Sequence, residues 1–312
     1  MDCMIYMPAC GGQMGANMRK YKTWSNFLFD SVVVLLLLIF GLSCLIPILH
    51  VVALSLSSKT AALAGRVYLW PVEFTITPYK VLVTDAKFMQ ALWVSVKRVV
   101  LGGGLNLILT VITAFALSQE EKDFPGRKVY MWFLVFAMLF GASLVPWYFV
   151  IKATGLMDSI WALVVPGALP VYNTILLMNF FRNLPKEIKE SAILDGISPV
   201  QMMLRICVPL ALPAIATVTV FSIVGHWNNF FDGLLLTNTP SKMPLQTYIQ
   251  TLTNKNIDVS SSSLTPEELE VLTSLKTFNA AKIVAASLPI VVFYPFMQRF
   301  FVSGLTLGSV KE

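Results

Sequence analysis

The sequence predicts an all-α membrane protein with six transmembrane helices, and three observations carry that prediction. The 312 residues are 56% hydrophobic and only 13% charged, where a soluble domain carries roughly 25% charged residues. Six apolar segments reach the roughly 20 residues that a helix needs to cross a hydrocarbon layer about 30 Å thick. Lysine and arginine collect in alternate short connections, which is the signature of inserted topology.

The six segments run near residues 31–56, 94–117, 129–151, 159–181, 204–226 and 280–302. The first is uninterrupted and too long for the apolar core of a cleaved signal peptide, about 7–15 residues, so it is read as a spanning helix. The second contains Gly102-Gly103-Gly104, which permits close backbone approach. The others carry Pro146, Pro166, Pro170, Pro213, Pro289 and Pro295. A proline inside a span frees a carbonyl that neighbours or cavity water must satisfy. Tight packing alone is the plainer reading of these breakers; flexing around an alternately opening path is the functional one.

Orientation follows from the short connections. Lys122, Arg127 and Lys128 follow the second segment, and Arg182, Lys186, Lys189 and Arg205 follow the fourth. Only Lys152 lies between the third and fourth, and Arg19, Lys20 and Lys22 precede the first. Both termini are therefore expected in the cytoplasm of a multi-pass protein of the cell membrane. Residues 1–24 form a tail expected to be disordered or to include an over-long start, with Met18 as the alternative first residue. Residues 25–93 hold the first helix and an outer loop, 94–302 the membrane core, and 303–312 a cytoplasmic C-terminal tail.

Two outer segments are long. Residues 57–93, with Trp70-Pro71 and Tyr79, are expected to pack as an extended cap. Residues 228–279 include Asn238, Pro240, Pro244 and the run Ser260 to Ser263. Within them Thr265-Pro266-Glu267-Glu268 reads as a helix start. Leu269, Leu272 and Leu275 form an apolar stripe for the channel or for a partner protein.

Composition excludes several functions. The net charge of +6 is dispersed over loops, unlike the concentrated basic face of a nucleic-acid binder. Cys3, Cys10, Cys44, Cys207, His50 and His226 have neither metal-ligand spacing nor a disulfide framework. The chain contains no GxxxxGK[ST] phosphate loop, so it is read as non-catalytic and without a bound cofactor.

The most informative stretch is polar and lies between the fourth and fifth apolar segments. Residues 186–194 are good helix formers, Gly196 suits a left-handed cap, and Ser198 with Gln201 makes a capping box with Pro199 at the first helical position. An interfacial helix would place Trp, Phe or Leu where Ala192 and Gly196 stand. Small residues admit a partner closely, and Glu190 and Asp195 offer charge to a basic site.

Glu190-Ser191-Ala192-x-x-Asp195-Gly196, closed by Pro209, resembles the EAA loop of binding-protein-dependent ABC importer permeases, with Ser191 replacing the first alanine. Ala114-Phe115-Ala116-Leu117-Ser118 before Phe124-Pro125-Gly126-Arg127, Trp227-Asn228-Asn229-Phe230 and Tyr294-Pro295-Phe296-Met297-Gln298-Arg299 resemble further elements of the maltose-type carbohydrate permeases. The C-terminal ending resembles a subgroup for complex polysaccharide fragments. The resemblance covers roughly residues 25–312. It implies the type I ABC importer permease fold, a second permease subunit, two ATPase subunits carrying ATP and magnesium, and an extracytoplasmic solute-binding protein. It also implies an oligosaccharide or polysaccharide fragment as cargo. Glu190, Ser191, Ala192, Asp195, Gly196 and Pro209 within residues 186–202 and beyond are then expected to contact the ATPase, with Arg205 bracing the loop.

Sugars are held by aromatic faces and amide groups, so Trp147, Tyr148, Tyr172, Asn173, Trp227, Asn228 and Asn229 are the candidates for the substrate path. For Trp147 and Tyr148 an interfacial aromatic belt is the favoured reading. Asn173 suits a helix–helix bond or a pathway role equally. Trp227-Asn228 suits a structural cap or a contact for the delivery protein. Lys97 and Arg98 are expected to snorkel to outer headgroups, the alternative being attraction of an acidic sugar. An ion-coupled secondary sugar transporter is the competing function, disfavoured because Asp and Glu lie almost wholly outside the apolar segments; a scaffold without transport is the third.

Overall fold

Long apolar runs form the long helices here, α1 continuing through Pro47 and the last helix through Pro289. The computed structural model describes residues 24–141, 143–259 and 276–295, and all regular structure among them is helical. The tail before residue 24, the Leu269/Leu272/Leu275 stripe and the C-terminal ending past Pro295 lie outside the described residues.

Helix α1 (Trp24–Ser55) is apolar on every side, and Leu28 to Leu49 are largely exposed to the surroundings of the chain. Only its last turns dock, where Ala53 and Leu54 pack with Ala61, Ala62, Val67 and Ala280. The outer segment is not the extended cap expected. It forms α2 (Lys59–Leu63), capped by the Ser58 hydroxyl, and α3 (Thr77–Thr84). Tyr79 is tied to Ser55 of α1 at 2.7 Å.

Helix α4 (Ala86–Ser118) starts earlier than expected because the Asp85 carboxylate caps it by accepting from Lys87 N. Its 33 residues span about 50 Å at 1.5 Å per residue, longer than the hydrocarbon layer, so one end stands clear of it. The third segment divides into α5 (Arg127–Leu139) and α6 (Leu144–Ala153). Pro166 and Pro170 divide the fourth into α7 (Ile160–Val164) and α8 (Val171–Arg182). After α9 (Lys186–Leu194) and α10 (Pro199–Met202) come a π-helical turn (Met203–Cys207) and α11 (Val208–Leu210). The run Pro199–Leu210 meets α12 (Leu212–Asn228) at 86°. The fifth span therefore begins at Leu212 rather than near residue 204, the bend falling between Pro209 and Pro213. Then follow α13 (Phe231–Leu236), α14 (Leu245–Val259) and α15 (Lys276–Pro295).

Among the described residues three helices are long and apolar enough to cross a membrane singly: Leu28–Ser55, Ala86–Ser118 and Lys276–Pro295. Two bent pairs, α5 with α6 and α10–α11 with α12, reach the same length and apolarity only when each pair is taken together. The remaining apolar segment, the fourth in chain order, is the broken α7–α8 run. Six apolar segments are present, but three of them are not straight spans.

Helix α4 is the central pillar, with α12 and α8 packed along it. At one end Ala114, Phe115 and Leu117 of α4 pack with Leu177, Met178 and Phe181 of α8 and with Ala192, Met202 and Cys207 of the loop. At the other end Leu82, Phe88, Ala91, Trp227, Leu245 and Ala286 join α3, α4, α12, α14 and α15. Ser95 of α4 accepts from Leu245 N at 2.8 Å. The α4–α12 approach is close: a Cβ on Gly102 would stand 2.5 Å from the His226 ring, whereas one on Gly104 would meet nothing within 4 Å. Overpacking of that kind costs about 1–3 kcal/mol. Gly102→Ala should therefore lower the melting temperature of the detergent-solubilised protein by several degrees and Gly104→Ala should hold or slightly raise it, as read by differential scanning fluorimetry.

A carboxylate ties the α6–α7 connection to the turn after α13. Asp158 Oδ1 accepts from Asn238 N and Thr239 N, both at 3.0 Å, and Oδ2 accepts from Thr239 Oγ1 and Lys242 Nζ, both at 2.7 Å. The Lys242 ammonium, with Thr239, holds this carboxyl well below the usual carboxylate range. Its folded pKa lies below its unfolded one, so its contribution is complete above the unfolded value of roughly 4 and fades as pH falls below it. Melting curves of the wild type and Asp158→Asn should thus be well separated at neutral pH and converge as the pH is taken below roughly 4.

Candidate functional site: a capped loop and a polar cavity

The loop folds as its residues dictate. Gly196 ends α9 at φ +73°, and Ile197 N donates to Ala192 O at 3.2 Å. The capping box is present in both directions: Gln201 N donates to the Ser198 hydroxyl, and Ser198 N donates to the Gln201 side chain. Lys189 Nζ donates to Phe181 O at 2.9 Å, closing the end of α8. These bonds make the segment a rigid elbow before any partner arrives.

Its faces differ from the sequence expectation in one respect. Ala192 is 3% exposed and packs inward on α4 and α8, so its small size serves the chain's own core. The outward surface is apolar, made by Ile193, Leu194, Val200 and Leu204, with Leu194 88% exposed. Glu190, Ser191, Asp195, Gly196 and Pro209 are exposed on the same elbow. Arg205 is exposed on the π-helical turn and makes no hydrogen bond or ion pair among the described residues. No brace to the loop is formed there. The exposed leucines were overlooked because, in sequence, an outward apolar side chain on a short helix looks the same as a core one.

The second feature is a cavity of about 440 Å³ among α4, α6, the α7–α8 break, α8, α12 and α13. Asn106 builds one wall. With its amide turned to satisfy its neighbours, its nitrogen faces Gly102 O, Gly167 O and Ala168 O at 3.0–3.1 Å, and its oxygen accepts from His226 Nε2 at 3.2 Å. The carbonyls of Gly167 and Ala168, freed by the prolines around them, thereby find a donor inside the bundle. Opposite, Asn173 Nδ2 donates to Val218 O and Ser222 Oγ, both at 3.3 Å.

The end of the cavity distant from the loop holds an ion pair. Arg98 is 1% exposed; its Nη2 donates to Asp232 Oδ2 at 2.5 Å and its Nη1 to Asn229 O at 2.9 Å. Asn229 also donates to Asp232 Oδ2 and accepts from Asp232 N, clamping the α12–α13 corner. Arg98 Nε is buried and has no hydrogen-bond partner among the described residues. The expected snorkelling therefore fails for Arg98, because its counter-charge arrives from 134 residues further along the chain. Lys97, by contrast, is exposed, with its ammonium 5.7 Å from the Trp93 ring.

Of the aromatic and amide candidates, the cavity gathers Trp147, Asn173 and Asn229. Trp227 turns away: it is buried, donates Nε1 to Ala286 O at 3.1 Å and packs between α4 and α15. Tyr148 packs beside Ile151 and Leu163, Tyr172 is exposed with its ring 6.3 Å from Phe221, and Asn228 is exposed. None of these four lines the cavity. Arg98, which the sequence offered as an alternative attractor of an acidic sugar, lines it too; Asn106, Ser222, His226 and Asp232, which also line it, were not among the candidates, although the buried amide Asn106 could have been found as a polar group inside an apolar span.

Comparison with known proteins agrees over nearly the full length. The model of the family described as binding-protein-dependent transport system inner membrane component matches residues 10–307. The polygalacturonan/rhamnogalacturonan transport system permease protein YtcP of Bacillus subtilis (strain 168) is 34% identical over 293 residues, which is 92% of this chain and 99% of that protein. Protein LplC of the same organism is also 34% identical, over 93% of this chain and 97% of its own length. A chain from the crystal structure of a bacterial ABC transporter involved in the import of the acidic polysaccharide alginate superposes with a TM-score of 0.81 at 29% identity, covering 90% of this chain and 99% of that one. With a matching all-helical fold, a capped loop and a polar cavity between its helices, the chain belongs to the family of binding-protein-dependent transport system inner membrane components.

Proposed function

We propose that this chain is one permease half of an ATP-driven importer of oligosaccharides or polysaccharide fragments, carboxylated ones above all. The observation that carries the reading is mechanical. The elbow at residues 186–202 offers an exposed apolar surface while Ala192 and Met202 key it into α4 and α8, two of the helices that line the polar cavity. A force on the elbow would reach the cavity through packed side chains. The relatives transport carboxylate-bearing polymers by name, polygalacturonan/rhamnogalacturonan and alginate, and the cavity holds Arg98, Asn106, Asn173 and a tryptophan face.

In this reading the elbow points into the cytoplasm, as do both termini, and docks on an ATPase subunit through Ile193, Leu194, Glu190 and Asp195. Two such ATPases, a second permease and an extracytoplasmic binding protein complete the assembly. The chain itself hydrolyses no ATP and holds no cofactor. The exposed face of α1 meets lipid or the neighbouring permease. Gly196 is the discriminating position, since φ +73° is strained for any side chain. Gly196→Val is expected to leave the assembly inserted while lowering uptake per ATP hydrolysed, measured in proteoliposomes; unchanged uptake would contradict the role of the elbow. Leu194→Glu is expected to reduce co-purification of the ATPase.

One observation favours a second reading. Arg98, Asp232 and His226 line a single cavity between membrane helices, and ion-coupled carriers place titratable groups along their path. Collapsing the proton gradient at constant internal ATP separates the two. The importer reading predicts uptake unchanged, and a secondary carrier would stop.

A further inference from the structure

Resting on the carboxylated-glycan reading above, we propose that Arg98 is the specificity-determining residue of the cavity. In this proposal Arg98 exchanges the Asp232 carboxylate for a carboxylate of the passing sugar, and that exchange frees the α12–α13 corner. The two carboxylates compete for one guanidinium, so the cargo unlocks its own entrance.

Three observations support this. Among the described residues lining the cavity, Arg98 is the only Arg or Lys. A neutral sugar needs only amides and hydroxyls, and a guanidinium kept among membrane helices marks a function beyond packing. Its partner is asymmetrically buried: the Arg98 side chain is 1% exposed and Asp232 23%, so the carboxylate is the member with room to leave. Among the described residues, no acceptor reaches the Arg98 Nε N–H. A carboxylate that takes two N–H groups of the fork would be held better than one that takes a single Nη2 contact.

The corner is built to respond. Asp232 Oδ2 accepts from both Arg98 and the Asn229 amide, while Arg98 also holds Asn229 O. Removing Asp232 from Arg98 loosens α13 from α4 at one stroke. Arg98 lies 20 residues before Ser118 at the loop end of α4, about 30 Å away, which sets the pair at the mouth of the cavity remote from the elbow.

The test uses the reconstituted assembly with its ATPase subunits and binding protein, and follows uptake of tri-galacturonate and of its carboxyl-reduced counterpart. Arg98→Gln is expected to cut tri-galacturonate uptake by roughly tenfold or more. The charge swap Arg98→Asp with Asp232→Arg re-forms the pair. It should restore the melting temperature but not uptake, because the guanidinium has moved from α4 to α13. Recovery of both would overturn the proposal and leave the pair a brace. Asp232→Asn gives an independent reading: with the competitor gone, KM for tri-galacturonate should fall several-fold and kcat should fall with it. An unchanged KM would overturn the proposal. Equal uptake of both sugars by the wild type would instead overturn the carboxylated-glycan reading, and this inference with it.

Discussion

Hydrocarbon offers no hydrogen bonds, so every polar group inside the bundle must find its partner within the protein. That constraint organises the centre of this chain. The break between α7 and α8, imposed by Pro166 and Pro170, leaves carbonyls at Gly167 and Ala168 that the Asn106 amide answers from α4. Asn106 is in turn bonded to His226 of α12, and His226 sits so close to α4 that only a glycine at position 102 leaves it space. One amide, one imidazole and one missing Cβ thus join three elements around a space that stays polar.

The same constraint explains why the ends of the bundle differ. At the loop end, α4 and α8 finish in an apolar cluster that receives Ala192 and Met202, giving a dry and tightly packed joint suited to passing displacement. At the other end, the chain spends polar groups on a clamp: Arg98, Asn229 and Asp232 hold α13 against α4, and Asp158 gathers the turn beyond it. The bundle thus has a dry apolar joint at one end and an ionic clamp at the other.

How much of this was legible depended on how local the cause was. The Ser198/Gln201 capping box, the left-handed Gly196 and Pro199 at the start of α10 were readable because each involves residues within a few positions of one another. The apolar segments were readable by length, but not their straightness. Pro209 and Pro213 were seen, yet an 86° bend depends on what α10 packs against. Arg98 was misread for the same reason, since its partner Asp232 lies on a different element. Trp227 looked like a pathway aromatic, and only the packing of α15 showed its indole bonded to Ala286 O. Ala192 was small as expected, but it accommodates the chain's own core.

In the importer proposed above, the cavity around Asn106 and Asn173 is a water-accessible passage whose access is governed from the elbow. Ser222, which faces it and bonds Asn173, reports this directly as Ser222→Cys in a background with Cys3, Cys10, Cys44 and Cys207 replaced. A membrane-impermeant thiol reagent should label that cysteine in the intact assembly, at a rate that changes when the ATPase subunits are trapped with nucleotide. Absence of labelling in every nucleotide state, or a rate indifferent to nucleotide, would contradict the account.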